Sequence, residues 1–419
     1  MSELRVFDHV SLRMQRIGYL KRLIKRVTVT PTSNLENIGK DLIDTVLKRV
    51  RIQIDDHLSK YIKARLTGNA YTTIKKQTNS WIADRGEPPF LMLELQDLYL
   101  KNPELPSQVG RLAKEDWRKY PQFGISVGLI RSGTFSPTSR SYSFLHLVTE
   151  QEQKAFIEYS PDVNPFFTSI EQSLLLLYSF IENDGEILVP LWNRLLNSPQ
   201  PQFSERQAGD LLPSIIKNVI SRYKNKTSSI DFRKRLESLG KTAESISLQL
   251  NVQDYSSVSA REETVRVRIE PIVDLGLLQK QNPFRYEYTF SDAGRIWAEA
   301  FSGDEDSVDI GDFIHQRFFF TAASAQKISA EFLTLDGIIP RLKSAWEVIS
   351  SSNGYAPIEE IALLAGIKAL INESKIIEIS TAREAIIAFQ KANPYKVRFT
   401  VDRFGALAHA KFTDDNTPA

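Results

Sequence analysis

The sequence predicts a mainly α protein with small β-hairpins, an α+β fold assembled from several units. Three observations lead there. Helical periodicity fills "VSLRMQRIGYLKRLIKRV" and "NIGKDLIDTVLKRVRIQIDDHLSKYIKARL" near the start. The stretch "RIEPIVDLGLLQKQNPFRYEYTFSDAGRIWAEAF", Arg268 to Phe301, has the order helix, glycine stop, strand pair, and second helix begun at Ser291. Part of that stretch returns near the end of the chain. At 419 residues the chain exceeds one ordinary core, and a norm of about 100 to 200 residues per domain gives roughly two to four domains.

Residues 1–85 form a basic helical region whose two periodic blocks are split by the breaker-rich "TVTPTSNLEN". Lys21 and Lys25, like Arg22 and Arg26, sit four apart and so line one side of a helix. Within 86–163, "GEPPF" marks a boundary and a helix runs from Phe90 to Leu100. There "FGISVGLIRSGTFSPTSRSYSFLHLVT" alternates like two strands around a loop, a first helix and hairpin unit. Residues 164–302 open with the apolar "SIEQSLLLLYSFIEN", continue through "LVPLWNRLL" and "DLLPSIIKNVISRY", and close with the 268–301 stretch. The segment 303–312, "GDEDSVDIGD", has five carboxylates and no cation, the composition of an exposed linker. Residues 313–412 hold helices and a last unit, and 413–419 form a tail.

"TFSDAGRIWAEAF" (Thr289 to Phe301) laid over "TVDRFGALAHAKF" (Thr400 to Phe412) matches Thr, Gly and the final Phe without a gap. Upstream, "SARE" from Ser259 and "TARE" from Thr381 each place Glu three residues after a hydroxyl, the pattern of a capping box that opens a helix. A fainter copy runs from "LAKE" at Leu112 to Thr149. Capped helix, hairpin with an aromatic strand, then "T-x-x-x-x-G" opening another helix resembles the winged-helix variety of helix-turn-helix domain. The resemblance covers the last two units and, loosely, 86–163. It implies tandem winged-helix units behind the N-terminal helical region, with each capped helix as a recognition helix whose first residues meet base edges.

On Ser259 to Leu275 the residues Val265, Ile269, Ile272 and Val273 form an apolar stripe, which leaves Arg261 and Arg268 on an outer face. Pro271 should kink or shorten this helix. Arg383 and Gln390 take the matching positions on the later helix, and Arg and Gln can each make paired hydrogen bonds to a base edge. Lys280 and Arg285 in one wing, and Lys396 and Arg398 in the other, suit phosphates.

Charge points the same way. Residues 1–85 carry 17 Lys and Arg against 8 Asp and Glu, a basic head on a mildly acidic body. Its Arg13, Arg16, Lys21, Arg22, Lys25 and Arg26 fit an anionic partner, nucleic acid rather than membrane, as do Lys224 and Lys226 in "SRYKNKTSSIDFRKRLESLGK", with 7 cations against 2 anions. The expected partners are double-stranded DNA and other protein subunits, as in a chromosome-maintenance or antiviral defence complex. A pure assembly role, with winged helices docking proteins, stays open, as does homo-oligomerisation.

Enzyme motifs are weak. The chain has no Cys, which removes thiolate metal sites and Cys nucleophiles and fits a reducing cytoplasm. No long apolar stretch opens the chain, and "LLLLY" falls far short of a span of about 20 residues, so an unprocessed, soluble, cytoplasmic protein is expected. "SLGKT" (Ser238 to Thr242) lacks the first glycine of a phosphate loop. Arg51 with His57, Arg140 with His146 and Arg403 with His409 have the Arg and His spacing of HEPN-type RNases. Of these, only Arg51 and His57 lie on a clear predicted helix and keep that remote alternative open. "LLLLY" and "RFFF" (Arg317 to Phe320) are expected to be core. No catalytic residue, metal or cofactor is assigned.

Overall fold

The computed structural model describes residues 4–7, 17, 19–29, 119–147, 168–224, 230–250, 260–282, 285–301, 309–402 and 405–413. These are mostly helical, with small antiparallel sheets. The centre is α4 (Ile170–Leu196), preceded by α1 (Tyr19–Val29), α2 (Lys119–Ser126) and α3 (Ser139–His146). Ser169 opens α4 through a capping box with Gln172, satisfying two of the helix's orphan donors. The run Leu174–Ile181 is buried on every side, as expected of the "LLLLY" core.

Two three-stranded antiparallel sheets follow, and they share a strand order. In the first unit, β1 (Gln202–Ser204) leads into α5 (Glu205–Tyr223), α6 (Ile230–Leu250) and α7 (Ala260–Asp274), then β2 (Leu278–Asn282) and β3 (Arg285–Phe290), in the order β1-β3-β2. α8 (Asp292–Ala300), α9 (Ile310–Gln316), α10 (Phe318–Ala325) and β4 (Glu331–Phe332) connect to the second unit. There α11 (Leu335–Ile349) precedes β5 (Ala356–Pro357), α12 (Ile358–Glu373), β6 (Lys375–Ile376), α13 (Ile379–Ala392), β7 (Val397–Val401) and β8 (Leu407–Phe412), in the order β5-β8-β7. The short β4 pairs with β6 in parallel.

The 268–301 stretch folds as its residues dictate. α7 ends at Gly276, whose φ of +74° only glycine adopts freely, with Leu277 N donating to Ile272 O at 3.1 Å. Ser291 then caps α8 by accepting from Gly294 N at 3.0 Å, while its hydroxyl donates to Gly276 O at 2.7 Å. A side chain at 294 would put Cβ 1.9 Å from Leu277 O, so this crossing demands glycine. Pro271 does not end α7, which continues to Asp274.

Several expectations fail. The segment read as two strands at 123–149 is α2, an isolated bridge from Ile130 to Pro137, and α3 capped by Thr138. The repeat does not survive folding, because 292–300 is helix while Leu407–Phe412 is strand β8. Thr381 lies inside α13, whose N-cap is Glu378; Ser259 and the Phe90 helix lie outside the described residues. The acidic stretch is not linker throughout, since Asp309 caps α9 by accepting from Asp312 N at 3.1 Å. Across it, Phe301 meets Phe313 at 4.2 Å between ring centroids, and Trp297 meets Phe318 at 5.2 Å. In "RFFF", Phe318 and Phe319 are core but Phe320 is exposed and stacks on exposed Phe332.

Candidate nucleic-acid interface

The second unit offers the more open surface. Glu378 fixes its third helix, α13: the carboxylate accepts from Phe319 N at 3.1 Å and Phe320 N at 2.8 Å, joining α13 to the start of α10. Burial pushes this carboxyl up to about 7, against the two backbone donors that favour its charged form. Arg383 donates to Leu407 O at 3.2 Å, which ties α13 to the start of β8. Alternation along the hairpin then sorts the side chains. Val397, Ala410 and Phe412 are buried, whereas Arg398 and His409 are exposed.

The register sets Arg398 directly opposite Lys411 and Thr400 opposite His409, with Thr400 Oγ1 and His409 Nδ1 3.1 Å apart. Like charges facing each other across strands repel, so the Arg398 and Lys411 pair favours an anion above it. Lys411 is steadied by Asn353 O at 3.0 Å and lies over the Tyr355 ring at 5.7 Å. Among the described residues Arg398 makes no ion pair. Lys391, Tyr395 and Lys396 beside the hairpin are exposed. Of these residues the sequence points to Lys396 and Arg398 for phosphate contact and to His409 only through its spacing from Arg403; Lys411 is missed because 407–412 matches a helix by residue identity, and Lys391 and Tyr395 carry no motif.

The first unit reverses the expectation for α7. Thr264 through Ile272 are all buried, and Arg268 is wholly inside, not on an outer face. Its guanidinium grips Asp184 through Nε at 2.6 Å and Nη2 at 2.9 Å, and donates to Thr264 O at 2.8 Å. Asp184 also accepts from Phe7 N at 3.0 Å, so the N-terminal segment closes over the pair. Burial pushes the Asp184 carboxyl above its usual range, with Arg268 opposing. Two residues earlier, on the other side of α7, Arg266 holds Glu205 bidentately, both bonds at 2.7 Å. Tyr288 donates to Glu270 at 2.6 Å, and Lys280 reaches Glu270 at 2.7 Å, so Lys280 serves this network and is only 13% exposed.

The other predicted residues are scattered. Lys21 is buried on α1 and Lys25 half-buried, so the side they share does not face outward. Arg13, Arg16 and Lys226 lie outside the described residues, and the side chains of Arg22, Arg26, Arg261 and Arg285 are likewise outside them. Lys224 is exposed at the end of α5, and Gln390 is half-buried on α13.

Two of the enzyme-like spacings fall among the described residues. "SLGKT" lies within α6, where no phosphate loop can form. Arg140 and His146 do share α3, but Arg140 is tied to Glu182 and to Glu360, leaving its charge already matched. Arg51 and His57 lie outside the described residues. No helix among the described residues is long and apolar enough to cross a membrane. No protein-family model, curated protein or solved structure matches the chain.

Proposed function

We propose that this chain is a non-enzymatic DNA-binding subunit of a multi-subunit complex acting on DNA, and that its two sheet units are winged-helix units. The shared order, a helix, a strand, further helices and a hairpin with the first strand beside the last, supports the winged-helix reading. The observation that carries the DNA reading is the cationic outer face of β7 and β8, where Arg398 opposes Lys411 beside exposed Lys396 and Lys391. From Ile379 to Thr413 there are six Lys and Arg against two carboxylates, a local excess suited to phosphates. The first unit, with Thr264 to Ile272 of α7 buried and Arg266 and Arg268 spent on internal pairs, acts as scaffold.

The test is fluorescence anisotropy of the full chain with a labelled duplex of about 30 base pairs at low and physiological salt. Binding with a steep salt slope is expected, and silence at low salt overturns the reading. A second reading, docking of partner proteins, is favoured by the exposed stack of Phe320 on Phe332, at 51% and 62% exposure. In that case the chain binds no duplex and copurifies with its partner.

A further inference from the structure

A lysine and a histidine meet at the seam between α3 and α12, away from the β7 and β8 face. Lys368 Nζ lies 2.8 Å from His146 Nε2. An ammonium can only donate, so Nε2 accepts and the imidazole is neutral in this contact. Lys368 makes no ion pair among the described residues. The carboxylates of α12 on either side are engaged elsewhere, Glu360 by Arg140 and Glu373 by Arg341. His146 is exposed and Lys368 half-buried, so the amine is within reach of solvent and of a small reagent.

We propose that Lys368 is an acylation site, its amine taking a short acyl group from a thioester with His146 as the proton acceptor. The ammonium passes one proton to His146 Nε2, which returns it to solvent. The freed lone pair attacks the thioester carbonyl carbon, forming a C–N bond, and the C–S bond breaks. The second amine proton leaves with the thiolate as a thiol, and the amide keeps the third. No oxidation state changes.

The surroundings favour each part. Partial burial lowers Lys368 below the ordinary lysine value, enlarging its neutral fraction. Burial, and then the charge of Lys368, lower His146, which keeps the imidazole free to accept. Lys391 is the internal contrast: it is exposed on α13 and has no such neighbour among the described residues. Acylation would erase the charge of Lys368 and leave one amide N–H in place of three ammonium donors, weakening its hold on His146 at the seam between α3 and α12.

The experiment incubates the full chain with acetyl coenzyme A and follows acetylation of Lys368 and Lys391 by peptide mass spectrometry. The expected result is several-fold faster labelling at Lys368 in the natural chain. His146→Gln, whose amide oxygen still accepts the hydrogen bond but takes no proton, should bring Lys368 down to the rate of Lys391, as should His146→Ala. Both variants change an exposed side chain, and circular dichroism confirms that they fold. Equal rates at the two lysines in the natural chain would overturn the proposal. So would a His146→Gln chain that keeps the faster rate, because a hydrogen bond alone would then suffice.

Discussion

The two sheet units share a strand order but bury opposite chemistry. The first hides Asp184 with Arg268 and Glu205 with Arg266, and buries Glu270 under Tyr288. The second is packed mainly from aliphatic side chains such as Ile338, Leu342, Ile361 and Leu364, with Glu378 buried among them and Glu360 paired to Arg140 of α3. Buried ion pairs seldom add net stability over apolar packing, but breaking one leaves an uncompensated charge. The first unit therefore depends on specific partners far apart in sequence, and the second on bulk and shape. The same contrast separates the third helices of the two units, since α7 turns Arg266 and Arg268 inward while α13 keeps Lys391 exposed.

The sharpest way to break the comparison is Arg268→Ala, which strands Asp184 in the core. It should destabilise the chain by about 3–5 kcal/mol in urea denaturation, whereas the double replacement Asp184→Leu with Arg268→Met recovers most of the loss. An equal loss in both would mean the pair is worth more than its desolvation.

Glu378 gives the second unit a pH signature, of the same sign as that of the raised Asp184 and Glu205 carboxyls buried against the first. Its folded carboxyl holds a proton up to about 7 against an ordinary 4.5, so between those values the folded state binds more protons than the unfolded chain. Stability should fall as pH rises through that window, by at most about 3 kcal/mol, and level off above it. Glu378→Gln should make the profile shallower by that amount in denaturation followed from pH 4 to pH 8.

Lys396→Ala with Arg398→Ala tests the outward face. Duplex affinity should drop at low salt, and the slope of log affinity against log salt should shrink by about 2, one for each cation removed. Lys224→Ala, on the first unit, should leave that slope nearly unchanged.

The smallest effect separates the units by their helix caps. Ser204 caps α5 through Gln207 N at 3.2 Å, so Ser204→Ala should lower stability by about 1 kcal/mol. Thr334, at the head of α11, makes no side-chain cap bond, and Thr334→Ala should change the thermal midpoint little.

What the sequence made legible was local. Gly276, the hairpin after it and the Ser291 cap lie within a few residues of what they control, and "LLLLY" is apolar enough to be core on any side. Arg268 was not legible, because its partner Asp184 stands 84 residues away and spacing alone cannot show that a helix is covered all round. The last strand was missed for a different reason. "LAHAKF" has the period-two alternation of a strand, with Ala410 and Phe412 inward and His409 outward, yet Thr, Gly and Phe coincided with a true helix earlier in the chain. Shared letters outweighed period, and period was the physical signal.

The contact between Phe301 and Phe313 across the acidic stretch has an engineering consequence. Both ends of residues 302–308 are held in one aromatic cluster, so chain length there does not set how α8 and α9 pack. Joining two fixed ends costs only about 0.6 kcal/mol for each doubling of the chain length between them. This is the place to graft an affinity tag, a fluorophore or a fused domain while leaving both sheet units as they are.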